Sequence, residues 1–173
     1  MIFVFTGDGK GKTTAAIGQA IRVLGHGRKA ALVQFIKSEK WQSGEERSLK
    51  KFGKFFLLYK GGKGFVGIMG DSLPRLAHLA AARRTFTFAK KIINSGKFGI
   101  VILDEINVAL ALKLIGIKEV VALLRRVPEE TDVICTGRAA PKELIKIAGL
   151  VTECREIKHP YQKGFPANKR REY

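Results

Sequence analysis

Apolar residues along this chain form two kinds of run. Short, largely uninterrupted ones, rich in Val, Ile, Leu and Phe, occur at 1–6, 29–36, 55–59, 98–103, 131–136 and 150–157 and predict strands. Between them, apolar positions recur at helical spacing. One such stretch, 13–24, is closed by Gly25-His26-Gly27, and a shorter polar helix is predicted over 43–52. Five glycines in 61–70 predict a loop. Asp71-Ser72 then offers a cap for a long helix with Pro74 in its first turn, stopped after Asn94 by Ser95-Gly96. Further helices are predicted over 107–114 and 118–126, and another opened by Pro141 and ending near Gly149. Strands and helices alternate, and the strands lack the in–out alternation of a half-exposed sheet. The expected fold class is therefore α/β: a mostly parallel sheet covered by helices on both faces. No repeat or linker divides the chain, so residues 1–173 are expected to form one domain.

Composition narrows this picture. With 173 residues, 46% hydrophobic and 27% charged, the chain has the profile of a soluble globular domain, not a disordered one. Its apolar runs, such as 100–103 and 108–112, are far below the roughly 18 residues that a membrane span needs. The N-terminal Met1-Ile2-Phe3-Val4 has no basic region ahead of an apolar core, so no secretory leader and a cytoplasmic location are expected. Cys135 and Cys154, in apolar contexts, are expected to be reduced core residues. His26 and His78 are expected at a helix end and on a helix surface.

Charge adds a preference for anions. Lys and Arg number 32 against 15 acids, a net +17, and between Arg47 and Leu103 the only acid is Asp71. Such a field suits nucleotides, nucleic acids or anionic lipids.

The strongest chemical signal is Thr6-Gly7-Asp8-Gly9-Lys10-Gly11-Lys12-Thr13-Thr14, placed after a strand and before a helix. Glycines let successive amide N–H groups converge, and the helix N-terminus adds its positive dipole end. Lys12 supplies a mobile cation and the Thr13 hydroxyl can reach a magnesium ion. Thr6 stands where the usual GxxxxGK[ST] pattern has its first glycine. Asp104-Glu105 closes the fourth strand, where a parallel sheet presents its ligand crevice, and fits a magnesium-binding role beside the phosphates. Arg138, after the fifth strand, can pair with a phosphate at the same edge, and Lys37 ends the second strand there. Trp41, the only tryptophan, lies in the polar stretch Lys40-Trp41-Gln42-Ser43, which points to a site or an interface. These features imply ATP or GTP with Mg²⁺ and leave ATPases, kinases and nucleotide-dependent transferases open.

Further stretches narrow the choice. Val33-Gln34-Phe35-Ile36-Lys37, Trp41 with Gly44-Glu45, Gly64-Phe65, Val101-Ile102-Leu103-Asp104-Glu105, Thr136-Gly137-Arg138 and Lys158-His159 follow the phosphate loop in an order that resembles the ATP:corrinoid adenosyltransferases of the CobA/CobO/BtuR type. The resemblance spans nearly the whole chain. It implies a RecA-like P-loop fold, a homodimer, and transfer of the 5′-deoxyadenosyl group of ATP to the cobalt of a reduced corrinoid with release of triphosphate. It also implies ATP lying reversed in the loop, with C5′ exposed to attack. By the same resemblance Lys12, Phe65 and Arg138 are catalytic. Gly7, Asp8, Gly9, Lys10, Gly11, Lys12, Thr13, Thr14, Lys37, Trp41, Phe65, Arg138 and His159 bind the substrates, and Thr13, Asp104 and Glu105 hold Mg²⁺. Phe65 corresponds to an aromatic that helps strip the lower axial ligand from cobalt. Two positions later many members have tryptophan, and this chain has Gly67. An electron-donating flavoprotein with an acidic face is an expected partner; a membrane is not. The alternative from charge alone is a RecA-like nucleic-acid-binding ATPase, disfavoured because no nucleic-acid recognition motif accompanies the charge.

Overall fold

The computed structural model describes residues 1–39, 42–64, 66–68, 70–160 and 168. The expectations for Trp41 and Phe65 lie outside these residues.

The sequence folds into β1 (Ile2–Thr6), α1 (Lys12–Gly25), β2 (Ala30–Gln34), α2 (Gly44–Lys50), β3 (Phe56–Lys60), α3 (Arg75–Asn94), β4 (Ile100–Asp104), α4 (Ile106–Ala111), α5 (Ile117–Leu124), β5 (Asp132–Thr136), α6 (Lys142–Ile147) and β6 (Leu150–Glu153). All six strands join one sheet in the order β3-β2-β4-β5-β1-β6, and every neighbouring pair is parallel. The predicted mostly parallel sheet is thus fully parallel.

Residue alternation along each central strand feeds two cores. Val101 and Leu103 of β4 face one side with Ala31, Val33 and Val133, under α3 to α6. Ile100 and Ile102 face the other with Ala30, Leu32 and Ile134, under α1 and Leu49 of α2. Because both faces are covered, these strands carry apolar residues at successive positions up to their polar ends, which explains the runs in the sequence.

Four expectations are corrected. β6 ends at Glu153, not near 157, and all four of its residues are exposed. It is an edge strand, and beyond Glu153 the chain turns onto the phosphate loop, where the Cys154 N–H donates to Thr6 O at 2.8 Å and Cys154 O accepts from the Gly9 N–H at 2.7 Å. Cys154 is consequently half-buried, while Cys135 is a core residue as expected. Helix α3 begins only at Arg75, with Pro74 in extended conformation at its N-cap and no side-chain cap. Asp71 serves the preceding loop instead, and its partner His78, expected on a helix surface, is buried.

Candidate active site

The strand order sets the site. β5 lies between β1, which leads into the phosphate loop, and β4, which ends in Asp104. All three strands present their carboxyl ends at one edge, so residues distant in sequence converge there.

The loop itself needs its glycines. Gly7 and Gly11 have φ of 92° and 115°, in the region that favours glycine. Gly9 is constrained by space: a Cβ there would sit 2.6 Å from the Arg155 carbonyl carbon. Thr6 is explained by its hydroxyl, which accepts from the Ala140 N–H at 3.1 Å and so ties the end of β1 to the turn after β5. A glycine at position 6 would lose this tie. Lys12, 8% exposed, donates to Gly7 O at 2.7 Å and Gly9 O at 2.6 Å. Its ammonium is thus held inside the loop, where an incoming phosphate can replace those carbonyls. Lys10 and Asp8 are exposed on the loop, and Thr14 on the first turn of α1.

Asp104 is fully buried. Its Oδ1 accepts from the Thr13 hydroxyl at 2.8 Å and the Thr136 hydroxyl at 2.9 Å. Its Oδ2 accepts from Gln34 Nε2 at 2.9 Å. These donors are neutral, so the cage orients the carboxylate without neutralising it. Such a buried charge is suited to a cation. Among the described residues, Gln34 Oε1 and Asn107 Oδ1 are buried polar atoms with no hydrogen-bond partner.

Glu105 has φ 62°, and its N–H donates to the Thr136 hydroxyl at 3.0 Å. Burial, followed by the neighbouring Asp104 charge, pushes its carboxyl up to about 7, against the opposing pull of Lys12, Lys37 and Arg138. Lys37 also pairs with Glu45 at 3.6 Å. Arg138 is exposed, with Nε 3.9 Å from Asp8 Oδ1. It follows Gly137, whose φ is 125° and where a Cβ would lie 3.0 Å from Glu105 Oε2. Asn107 Nδ2 donates to Gly137 O at 3.0 Å and fixes that turn.

Thr13, Asp104 and Glu105 are hard oxygen donors, the type that magnesium takes, and it commonly uses few protein ligands and completes its shell with phosphates and water. The residues present fit Mg²⁺.

Most of the predicted residues meet here: Gly7, Asp8, Gly9, Lys10, Gly11, Lys12 and Thr13 with Asp104, Glu105, Lys37 and Arg138. His159 lies on the segment after β6, half-buried. Sequence reasoning missed the roles of Gln34, Thr136 and Asn107. The available signal was position. Gln34 is the polar residue closing an otherwise apolar strand, Thr136 precedes Gly137-Arg138, and Asn107 follows the acidic pair by two residues.

Solved structures agree with the fold. The flagellar accessory protein FlaH from Methanocaldococcus jannaschii matches with a TM-score of 0.58 at 13% identity, over 88% of this chain and 69% of that one. The KaiC-like protein PH0186 from Pyrococcus horikoshii matches at 0.53 and 20%, over 88% and 71%. Both share the parallel α/β fold described above. Curated relatives are nearer in sequence. The corrinoid adenosyltransferase of Escherichia coli K12 is 37% identical over 96% of this chain and 82% of its own length. That of a Sinorhizobium species is 40% identical over 96% and 77%, and CobA of Salmonella typhimurium 35% over 96% and 82%. A family profile described as ATP:corrinoid adenosyltransferase BtuR/CobO/CobP matches residues 1–173. The fold alone would leave this chain among many nucleotide-binding proteins, but a match that runs through every strand, loop and helix leaves one assignment: it belongs to the ATP:corrinoid adenosyltransferase family.

Proposed function

We propose that the site transfers the 5′-deoxyadenosyl group of MgATP to the cobalt of a cob(I)alamin-type corrinoid. In this step the Co(I) lone pair forms the Co–C5′ bond, the C5′–O5′ bond breaks, and its electron pair leaves on triphosphate. Lys12, the loop amides from Gly7 to Thr13, Lys10 and the α1 N-terminus would hold the polyphosphate and stabilise the charge that develops on it. The observation that carries this reading is the buried Asp104, tied by hydrogen bonds to Thr13 on one side and to Thr136 and Gln34 on the other. Thr13, Asp104 and Glu105 would hold Mg²⁺, which supplies electrostatic stabilisation of the triphosphate leaving group. Arg138, after β5, and Lys37, after β2, would meet the far phosphates, with Asp8 and Thr14 at the loop margin. Trp41, Phe65 and His159 are proposed from the family resemblance, Phe65 at the corrinoid.

A homodimer, a cytoplasmic location and reduction of the corrinoid by a flavoprotein belong to the same proposal, supported by the family and the basic surface. Among the described residues no helix is long and apolar enough to cross a membrane.

The test is anaerobic. Protein, MgATP and chemically reduced cob(I)alamin are expected to give light-sensitive adenosylcobalamin with equimolar triphosphate. Lys12→Ala is expected to lower the rate by at least about 100-fold, the scale of losing one preorganised charge contact. Production of ADP or phosphate with an unchanged corrinoid spectrum would overturn the proposal.

A further inference from the structure

The segment between β3 and α3 is fastened at both ends, and the second fastening is unusual. At its start the Gly61 N–H donates to Gln34 O at 3.0 Å and the Gly64 N–H to Ile36 O at 2.9 Å. Side chains are excluded there: a Cβ on Gly62 would lie 2.2 Å from the Ile36 backbone. The segment therefore leaves the carboxyl edge of the sheet beside Gln34, the residue that holds Asp104.

At the far end, Asp71 gathers the chain. Its carboxylate accepts from the Gly67 N–H at 2.8 Å and the Leu73 N–H at 3.1 Å. His78 Nε2, on the first turns of α3, lies 3.0 Å from Oδ2 and 3.2 Å from Oδ1. The two side chains are only 3% and 8% exposed. Around them the segment is open, with Gly67, Ile68 and Gly70 all exposed and Gly67 at φ 71°. Burying an ionisable pair carries a desolvation cost. A helix start needs no such device, and α3 does not use Asp71 as its cap. The pair acts backward, on the turn at Gly67.

We infer that His78 is a positioning residue for the corrinoid: through Asp71 it fixes the turn at Gly67, and that turn forms one wall of the second-substrate site. This rests on reading the segment's side of the sheet edge as the corrinoid side. The same geometry accounts for glycine at position 67. The left-handed backbone that lets the Gly67 N–H reach Asp71 disfavours any larger residue.

Two readouts test the inference separately. His78→Ala is expected to raise the corrinoid KM about tenfold, the scale of one lost buried hydrogen bond to a charged group, with the ATP KM within twofold. Amide exchange at Gly67 and Leu73 is expected to accelerate. His78→Gln, whose amide nitrogen can occupy the place of Nε2, is expected to restore both, and the shorter His78→Asn to restore neither. Asp71→Asn, which keeps the acceptor shape and loses the charge, carries the same readouts if His78→Ala does not fold. Unchanged exchange would overturn the fastening itself. Faster exchange with an unchanged corrinoid KM would overturn the placement of the corrinoid on this side. An equal rise in both KM values would overturn the assignment to one substrate.

Discussion

Glu105 shows how a single residue can link catalysis and stability. Its carboxyl titrates near 7 in the folded protein against a usual 4.5, because burial and Asp104 disfavour its charge. The folded state therefore binds this proton more tightly than the unfolded chain does. The associated stability is complete below about pH 4.5 and is lost as the pH rises through 7. Glu105→Gln is expected to be more stable than the unsubstituted protein at pH 8, by up to about 3 kcal/mol, with the gap shrinking toward pH 5. Urea unfolding at the two pH values measures it. Lys12, Thr13 and Asp104 were legible in the sequence because phosphate chemistry demands those types at fixed spacing after a strand. Gln34 and Thr136 were not. Their function arises from the β2–β4 register, which sets Gln34 opposite Asp104, and from the placement of Thr136 at the end of β5, and neither is a local property of the chain.

At the scale of elements, the phosphate loop depends on β6 as much as on β1. The segment leaving β6 packs its backbone against Gly7 and Gly9, and it hydrogen-bonds to Gly9. Gly9→Ala would drive a Cβ to within 2.7 Å of the Cys154 oxygen, against backbone that cannot rotate away. It is expected to cost about 1–3 kcal/mol, read by thermal unfolding, and to raise the ATP KM. The central strands β2, β4 and β5 were readable because double burial leaves an apolar record in each. The end of β6 was not, since an exposed edge strand has no such record and its last residues follow the loop they cover. The start of α3 was misread for a related reason. Asp71 is a good capping residue by type, and only the position of Gly67 in space shows what it holds.

For the whole molecule, the charge of +17 acts at long range. It raises the local concentration of a polyanion near the site edge, an effect that salt screens. The ATP KM is expected to rise several-fold between about 50 and 200 mM salt, while kcat, set at short range, changes little; steady-state kinetics across that range would show it. Charge suggested anionic partners but did not select among them, whereas the family-wide order of motifs did.

The position of β1 in the sheet has a consequence for how the molecule is made. β1 pairs only with β5 and β6, so Ile2 waits for Val133 and Phe3 for Leu150. During synthesis at roughly 5–20 residues per second, the earliest strand remains an unpaired apolar segment for many seconds. Contacts of such long sequence separation also close slowly. The nascent chain thus has its phosphate loop early but no nucleotide site until the residues of β4 and β5 and the later strands arrive, so ATP cannot assist folding at that stage, and the burden of shielding Ile2 to Phe5 falls on the folding machinery of the cell.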